Sequence, residues 1–204
     1  MYKGKKVSVV ISTYNESGSI RGVIDGLYTT NFVDEVVVVD NNALGNTREE
    51  VAKTKARLVV ETKQGLGHGL KKGFEEVTGD LIVMIDADGT YQSKDIEKLL
   101  AYSDEFDVVL GTRTSRVTIW SGAHMPFIVR IANLIWAKAV EFLYNGPLLT
   151  DVGCLYKLIS RNALNKVKDL FPQSRGDGIF NLELVIFLLA RKVSTIEIPV
   201  IFKE

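Results

Sequence analysis

One cysteine, Cys154, is all that the 204 residues contain. An intrachain disulfide framework and a cysteine-built zinc cluster are therefore excluded, and the chain suits a reducing compartment. Net charge is also missing. The 25 basic and 25 acidic residues cancel, so nothing draws the whole molecule to nucleic acid, and any anion site must be assembled locally. Long hydrophobic runs are absent too: the basic start Met1–Lys6 is followed only by Val7 to Ile11 before Ser12. That is too short for a signal-peptide core, and nothing approaches the ~20 apolar residues of a membrane span. The expected location is the cytoplasm. With four prolines and no stretch rich in Pro, Gly and Ser, no linker divides the chain, and residues 1–204 read as one domain with one core.

What is present is an alternation. Short β-branched runs at 7–12, 35–40, 57–61, 81–86 and 107–111 read as strands, and the segments at 17–28, 47–55, 66–77 and 93–102 between them have helical spacing. Ser93 looks like the cap of the last of these helices. After Arg113 the alternation weakens, and the pattern predicts a long helix over 127–144, a strand near 154–159, a helix over 180–191 and a last strand over 195–202. The fold class is α/β: a Rossmann-like three-layer sandwich with a mainly parallel central sheet.

In such sheets ligands bind beyond the carboxyl ends of the strands. Asp86 and Asp88 follow the apolar run 81–85, and on extended backbone their carboxylates would point the same way, as one hard cation requires. Mg²⁺ or Mn²⁺ held by one or two carboxylates, with waters and substrate phosphates completing its shell, is the usual arrangement for diphosphates. A plain Asp-Gly turn is the alternative. Asp40 ends the run 36–39, where it could accept from the N–H groups of a uracil or guanine, or make an Asx turn. Thr13, Tyr14 and Glu16 could line that base pocket or cap the first helix. The glycines at 65, 67, 69 and 73 miss the dinucleotide spacing G-x-G-x-x-G and read as a tight loop that lets backbone come close to a nucleotide or a strand.

In order and spacing these pieces resemble the family 2 glycosyltransferases, inverting enzymes of GT-A fold, and within them the branch of the dolichol-phosphate mannose synthases. Residues 12–16 look like P-T-Y-N-E with Ser12 in place of proline, and 39–42 look like V-D-D/N-G/N, followed by Ala43, Leu44 and Gly45 instead of the usual Ser and Asp. Asp86-Ala87-Asp88-Gly89 matches the metal motif, and Gly111-Thr112-Arg113 is similar to G-S-R. Residues 150–157 are similar to T-D-x-x-C/S-G-F-R/K with Leu155 at the glycine, and 197–200 match E-I-P-V. The resemblance implies that Ser12, Tyr14, Glu16, Asp40 and Gly67 bind the nucleotide. It implies that Asp86, Ala87 and Asp88 meet the diphosphate and metal, and that Arg113 and Arg130 face phosphates. It places a nucleotide-binding half at about 1–112 and an acceptor half at about 113–204. Thr90 stands where some relatives carry a glutamine near the metal.

The expected reaction is transfer of a sugar from a UDP- or GDP-sugar to polyprenyl phosphate or another membrane-associated glycan carrier. Asp151 is the candidate base, with Asp177 and Glu183 behind it. If the acceptor is a phosphate no base is required, and Asp151 instead orients an arginine or the acceptor. On the helix at 126–144, Arg130, Asn133, Lys138 and Glu141 share one face and apolar residues fill the rest. That pattern leaves open an interfacial helix at the cytoplasmic face of a membrane, or a core or homodimer helix. The rival functions are a sugar nucleotidyltransferase, which would open on a glycine-rich loop after the first strand, and an inactive nucleotide-binding relative.

Overall fold

The computed structural model describes residues 1–114 and 127–203. Pro126, where the sequence begins the long helix, lies outside the described residues. Seven strands form one sheet: β1 (Val7–Thr13), β2 (Glu35–Asp40), β3 (Arg57–Val60), β4 (Leu81–Met84), β5 (Val108–Thr112), β6 (Lys157–Ser160) and β7 (Thr195–Pro199). Their order is β3-β2-β1-β4-β6-β5-β7. All neighbours are parallel except β6, which runs antiparallel between β4 and β5.

The helices are α1 (Ile20–Thr29), α2 (Thr47–Ala52), α3 (Leu66–Glu76), α4 (Ile96–Ala101), α5 (Phe127–Tyr144), α6 (Arg161–Val167) and α7 (Phe180–Ala190). Side chains alternate across each strand, so one sheet carries two cores. Val7, Val9, Ile11, Val36 and Val38 pack against α1, α2 and α4. Val10, Val37, Val39, Ile82 and Met84 pack against α3, α5, α6 and α7. Cover on both faces is why β1, β2 and β4 read as continuous apolar runs.

Besides shifts of up to three residues at the ends of α1, α2 and β6, the structure departs from the sequence reading in four places. The fourth strand stops at Met84, because the chain turns out of the ladder towards Gly89, whose φ is +81°. The Ser93 segment opens as a 3-10 turn, Ser93–Asp95, and the Ser93 hydroxyl donates to the Val23 carbonyl instead of capping a helix. Helix α6 was not expected. Its cap is nonetheless visible in the sequence as Ser160, whose hydroxyl accepts from the Ala163 N–H at 3.1 Å. The last strand ends at Pro199, since proline has no N–H to extend a ladder.

Helix α3 lies close against β1 and β2. A Cβ at Gly73 would stand 2.3 Å from Val10 Cγ1 and 3.3 Å from Val39 Cγ2. Gly73→Ala should therefore overpack the helix against the sheet and cost about 1–3 kcal/mol. Gly22, on α1 with open space around it, should gain about 0.5–1 kcal/mol as alanine. Urea unfolding of the two variants checks both signs.

Candidate active site

From β1 the chain runs outward through β2 to β3, then returns to place β4 on the other side of β1. A reversal of this kind opens a crevice beyond the carboxyl ends of the two strands that separate. Here it is a cleft of about 280 Å³ lined by Ser12, Thr13, Tyr14, Glu16, Asn41, Gln64, Leu66, Asp86, Ala87 and Asp88. Six of the expected nucleotide and metal residues, Ser12, Tyr14, Glu16, Asp86, Ala87 and Asp88, thus share one cavity.

Glu16 folds back on its own loop: one carboxylate oxygen accepts from the Thr13 hydroxyl and from the Tyr14 and Asn15 N–H groups at 2.8–2.9 Å. The loop is rigid as a result, and Tyr14 stays half exposed at the cleft. Asp86 and Asp88 sit in the turn after β4. Asp88 accepts from the Thr90 N–H and hydroxyl through one oxygen, while Asp86 accepts no hydrogen bond among the described residues. Burial first, and Asp88 beside it second, push Asp86 up to about 7. Two crowded carboxylates, one without a donor, fit a divalent cation that would relieve both. Among the described residues no group of three or more His, Cys, Asp and Glu gathers, so waters and substrate phosphates would have to complete such a shell.

Two expected nucleotide contacts lie elsewhere. Asp40 is fully buried and lines no part of the cleft. One of its oxygens accepts from the Ala43 N–H at 2.6 Å and the other from the Arg48 guanidinium. Strand alternation is the reason. Asp40 follows Val36 and Val38 to the α1 side of the sheet, and it is Asn41 that faces the cleft. Asn41 accepts from the Gly65 N–H at 2.7 Å and donates to the Glu61 and Lys63 carbonyls, tying the end of β3 to the glycine turn. A period-2 count along 36–41 would have singled it out. Gly67 serves packing: a Cβ there would stand 2.6 Å from Phe180 Cβ and 2.9 Å from the Arg175 and Asp177 carbonyls.

A second cluster adjoins the cleft. Arg113, after β5, grips Asp151 with its backbone N–H at 3.1 Å, Nε at 2.8 Å and Nη2 at 3.0 Å. Burial works against the guanidinium's charge, but the Asp151 hydrogen bonds outweigh it and raise the pKa. The group also lies over the rings of Phe202 and Tyr91. Asn133 of α5 donates at 3.2 Å to Asp151 Oδ1, the oxygen that also accepts from Arg113 Nη2, and Arg130 donates to the Thr114 carbonyl. Glu197 accepts from the N–H groups of Thr150 and Asp151. With no exposed surface and both oxygens occupied, Asp151 lacks the free lone pair of a base; its geometry is that of a group that orients Arg113. Asp177 pairs with Arg175, and Glu183 accepts from the Arg175 N–H. Cys154 is buried, which pushes its thiol up to about 11, so it is no nucleophile.

Lys157 is a residue the sequence reading left without a role. It is fully buried on β6, opposite Met84. Its ammonium donates to the Cys154 carbonyl and to Asn181 Oδ1, the latter at 2.6 Å, and has no carboxylate in ion-pair reach among the described residues. Burial pulls its pKa down to about 8. With Asn181, which also donates to the Gly153 carbonyl at 3.0 Å, it pins the segment that carries Asp151.

Helix α5 faces the opposite way from a core helix. Arg130, Asn133, Ala137 and Val140 turn inward. Ile128, Ile135, Trp136, Phe142 and Leu143 are each more than half exposed, Phe142 at 86%. Ala137 and Val140 join the core beneath α5, so the helix is a core element on one side and open on the other among the described residues. Lys138, expected on the polar face, is exposed and pairs with Glu141 at 2.6 Å. No helix of the described residues is long and apolar enough to cross a membrane.

Residues 8–167 match the family described as Glycosyl transferase family 2. Dolichyl-phosphate beta-glucosyltransferase of Saccharomyces cerevisiae is 26% identical, across 97% of this chain and 67% of its own length. Undecaprenyl-phosphate 4-deoxy-4-formamido-L-arabinose transferase of Enterobacter is 29% identical, across 96% of this chain and 59% of its own length. This chain therefore spans roughly three fifths to two thirds of these relatives. Glucosyl-3-phosphoglycerate synthase of Mycobacterium tuberculosis, crystallised with Mn²⁺, UDP and phosphoglyceric acid, superposes with a TM-score of 0.73 at 18% identity, over 98% of this chain and 72% of its own. The GT-A fold expected from the sequence is the fold observed.

Two substitutions test the cluster. Asp151→Asn leaves the Arg113 guanidinium buried without its counter-charge and should cost about 3–5 kcal/mol in urea unfolding, whereas loss of a solvent-facing base would leave stability unchanged. For Lys157 the pKa is lower in the folded than in the unfolded chain. Above pH 8 the unfolded state holds more protons there, and stability rises with pH. The difference in unfolding midpoint between the natural chain and Lys157→Met should therefore shift in the natural chain's favour from pH 8 to pH 10.

Proposed function

The chain belongs to glycosyl transferase family 2, and from that premise we propose that it moves a sugar, with inversion, from a UDP- or GDP-sugar to a polyprenyl phosphate at a membrane surface. The observation that carries the reading is the outward-facing α5. Its inner face brings Arg130 and Asn133 to the Arg113–Asp151 pair, while its outer face offers Ile128, Ile135, Trp136, Phe142 and Leu143 to an apolar medium. A lipid phosphate matches both faces, a chain for one and an anion for the other. The names of the yeast and Enterobacter relatives point the same way.

In this reading the half up to about residue 112 takes the donor. Ser12, Tyr14 and Glu16 border the nucleoside, and Asp40 acts at one remove by holding Ala43 of the loop beyond it and Arg48 of α2. Gly67 keeps the glycine turn seated under the cleft. Asp86 and Asp88, with Ala87 between them, would hold Mg²⁺ or Mn²⁺ together with the donor diphosphate. When bound, that ion would neutralise charge on the departing nucleoside diphosphate. The acceptor half supplies Arg113 and Arg130 as fixed cations for the acceptor phosphate. This nucleophile is already an anion, so it needs no base, and Asp151 holds Arg113 in place.

Calorimetric titration of UDP and GDP, each with Mn²⁺ and with excess EDTA, is the first test. One nucleotide should bind only with metal, and Asp88→Ala should weaken it at least about tenfold. Failure of both nucleotides to bind folded protein sinks the donor site. The acceptor side is tested by sedimentation with phosphatidylglycerol-containing vesicles. Ile135→Glu with Phe142→Glu should abolish co-sedimentation, since each apolar group contributes about 1.5–3 kcal/mol on burial, while metal-dependent nucleotide binding stays intact.

A further inference from the structure

A second cavity, of about 670 Å³, lies on the far side of the glycine turn from the donor cleft. Gln64 and Leu66 face the cleft, whereas Lys63 and His68 face this groove. Its walls are α3 and α6 with the 3-10 turn Lys168–Gln173 that follows α6. The floor is apolar: Phe74 and Leu164 are buried, and Phe171 stacks at 6.0 Å from Phe74 and 5.3 Å from Phe180. The rim is basic. Lys63, Lys71, Lys72, Arg161 and Lys168 line it against Glu61 and Glu75 alone, in a chain whose charges otherwise cancel.

Most of these cations have no acid of their own. Lys72 pairs with Glu76. Arg161 donates to the Val77 and Gly79 carbonyls, and Lys71 to Ser174 Oγ and the Arg175 carbonyl while lying 5.3 Å over the Phe180 ring. Among the described residues no carboxylate comes within ion-pair reach of Lys63, Lys71, Arg161 or Lys168. Gathering like charges over an aromatic floor is unfavourable unless an anion joins them. Burial pulls the Lys71 pKa down and Lys63 adds to the effect, against the opposing charges of Glu183 and Glu61.

We propose that this groove is a second anion site, distinct from the donor cleft, that takes a small phosphomonoester with an apolar or aromatic body. The volume falls within the roughly 300–1,000 Å³ of small-ligand pockets. The basic rim suits a phosphate, and the Phe74–Leu164–Phe171 floor suits the body attached to it. None of the groove residues belongs to the cleft or to the Arg113–Asp151 cluster, so occupancy of one site leaves the others open.

The test is calorimetric titration of phenyl phosphate and of inorganic phosphate into the whole chain with EDTA present, so that no metal can bridge to Asp86 and Asp88. Phenyl phosphate should bind saturably and more tightly than inorganic phosphate, with an affinity that falls as salt is added. Lys63→Glu with Lys168→Glu should weaken it at least about tenfold, because two attractive charges become repulsive. Both side chains are exposed, so the fold should tolerate the pair, and circular dichroism checks that it does. Asp88→Ala should leave the binding unchanged. Absence of saturable binding, binding that survives the double reversal, or displacement by UDP would each overturn the proposal. So would a hexaglutamate peptide that binds where phenyl phosphate does not, which would make the groove a docking surface for an acidic protein.

Discussion

The buried ion pair between Arg113 and Asp151 organises the C-terminal half of this protein. A guanidinium and a carboxylate withdrawn from water are worth keeping only when every hydrogen-bonding position is filled, and here the filling recruits the neighbourhood. Asn133 reaches in from α5, Glu197 from β7 holds the backbone on which Asp151 sits, and Lys157 with Asn181 pins the carbonyls just beyond it. Two stretches of chain thus bond the carboxylate itself, and Glu197, Lys157 and Asn181 hold the backbone that carries it. The pair sits immediately after β5, beside the antiparallel strand that interrupts an otherwise parallel sheet.

The N-terminal half solves a different problem with the opposite sign. At the reversal between β1 and β4 the chain gathers acids: Glu16, Asp86 and Asp88 share the cleft. Arg113 and Lys157 stand near enough to lower Asp86, yet burial and Asp88 outweigh them and leave it at about 7. The cleft is thus acidic, whereas in the cluster beside it the Arg113 charge is matched by Asp151. A diphosphate could approach the acids only with a divalent ion between them, whereas a phosphate monoanion would meet the cations unaided. In the proposed reaction this contrast would set the donor diphosphate, with its ion, apart from the acceptor phosphate.

How far the sequence disclosed this depended on whether a residue's environment was local or tertiary. Strands β1, β2 and β4 were legible because both faces are buried and the apolar runs are unbroken, and the end of α5 at Tyr144 was visible in its spacing. The end of β4 was misread because Asp86 and Asp88 continue the alternation while Gly89 turns the chain away. Asp40 and Asn41 are adjacent, and only the sheet's two faces decide which one meets the cleft. Lys157 gave no local signal at all, since its burial comes from α7 crossing over β6 far along the chain. The resemblance located the motifs in order, but it could not separate a residue that lines the cleft from one that braces it, as Asp40, Gly67 and Asp151 do.

Helix α5 carries the argument one step beyond fold. Five large apolar side chains on one helix stand more than half exposed, while its inward face carries Arg130 and Asn133 beside Ala137 and Val140. A helix shaped only by its own chain's folding would do the reverse, because burying each of those side chains would contribute about 1.5–3 kcal/mol. Rotating α5 to bury them would withdraw Asn133 from Asp151 and Arg130 from Thr114, leaving a buried carboxylate short of a donor. The site therefore sets the helix's rotation, and the apolar stripe is its consequence. That the stripe is so hydrophobic when alanine or lysine would serve the helix equally well is what a lipid-borne acceptor of the kind proposed above would explain.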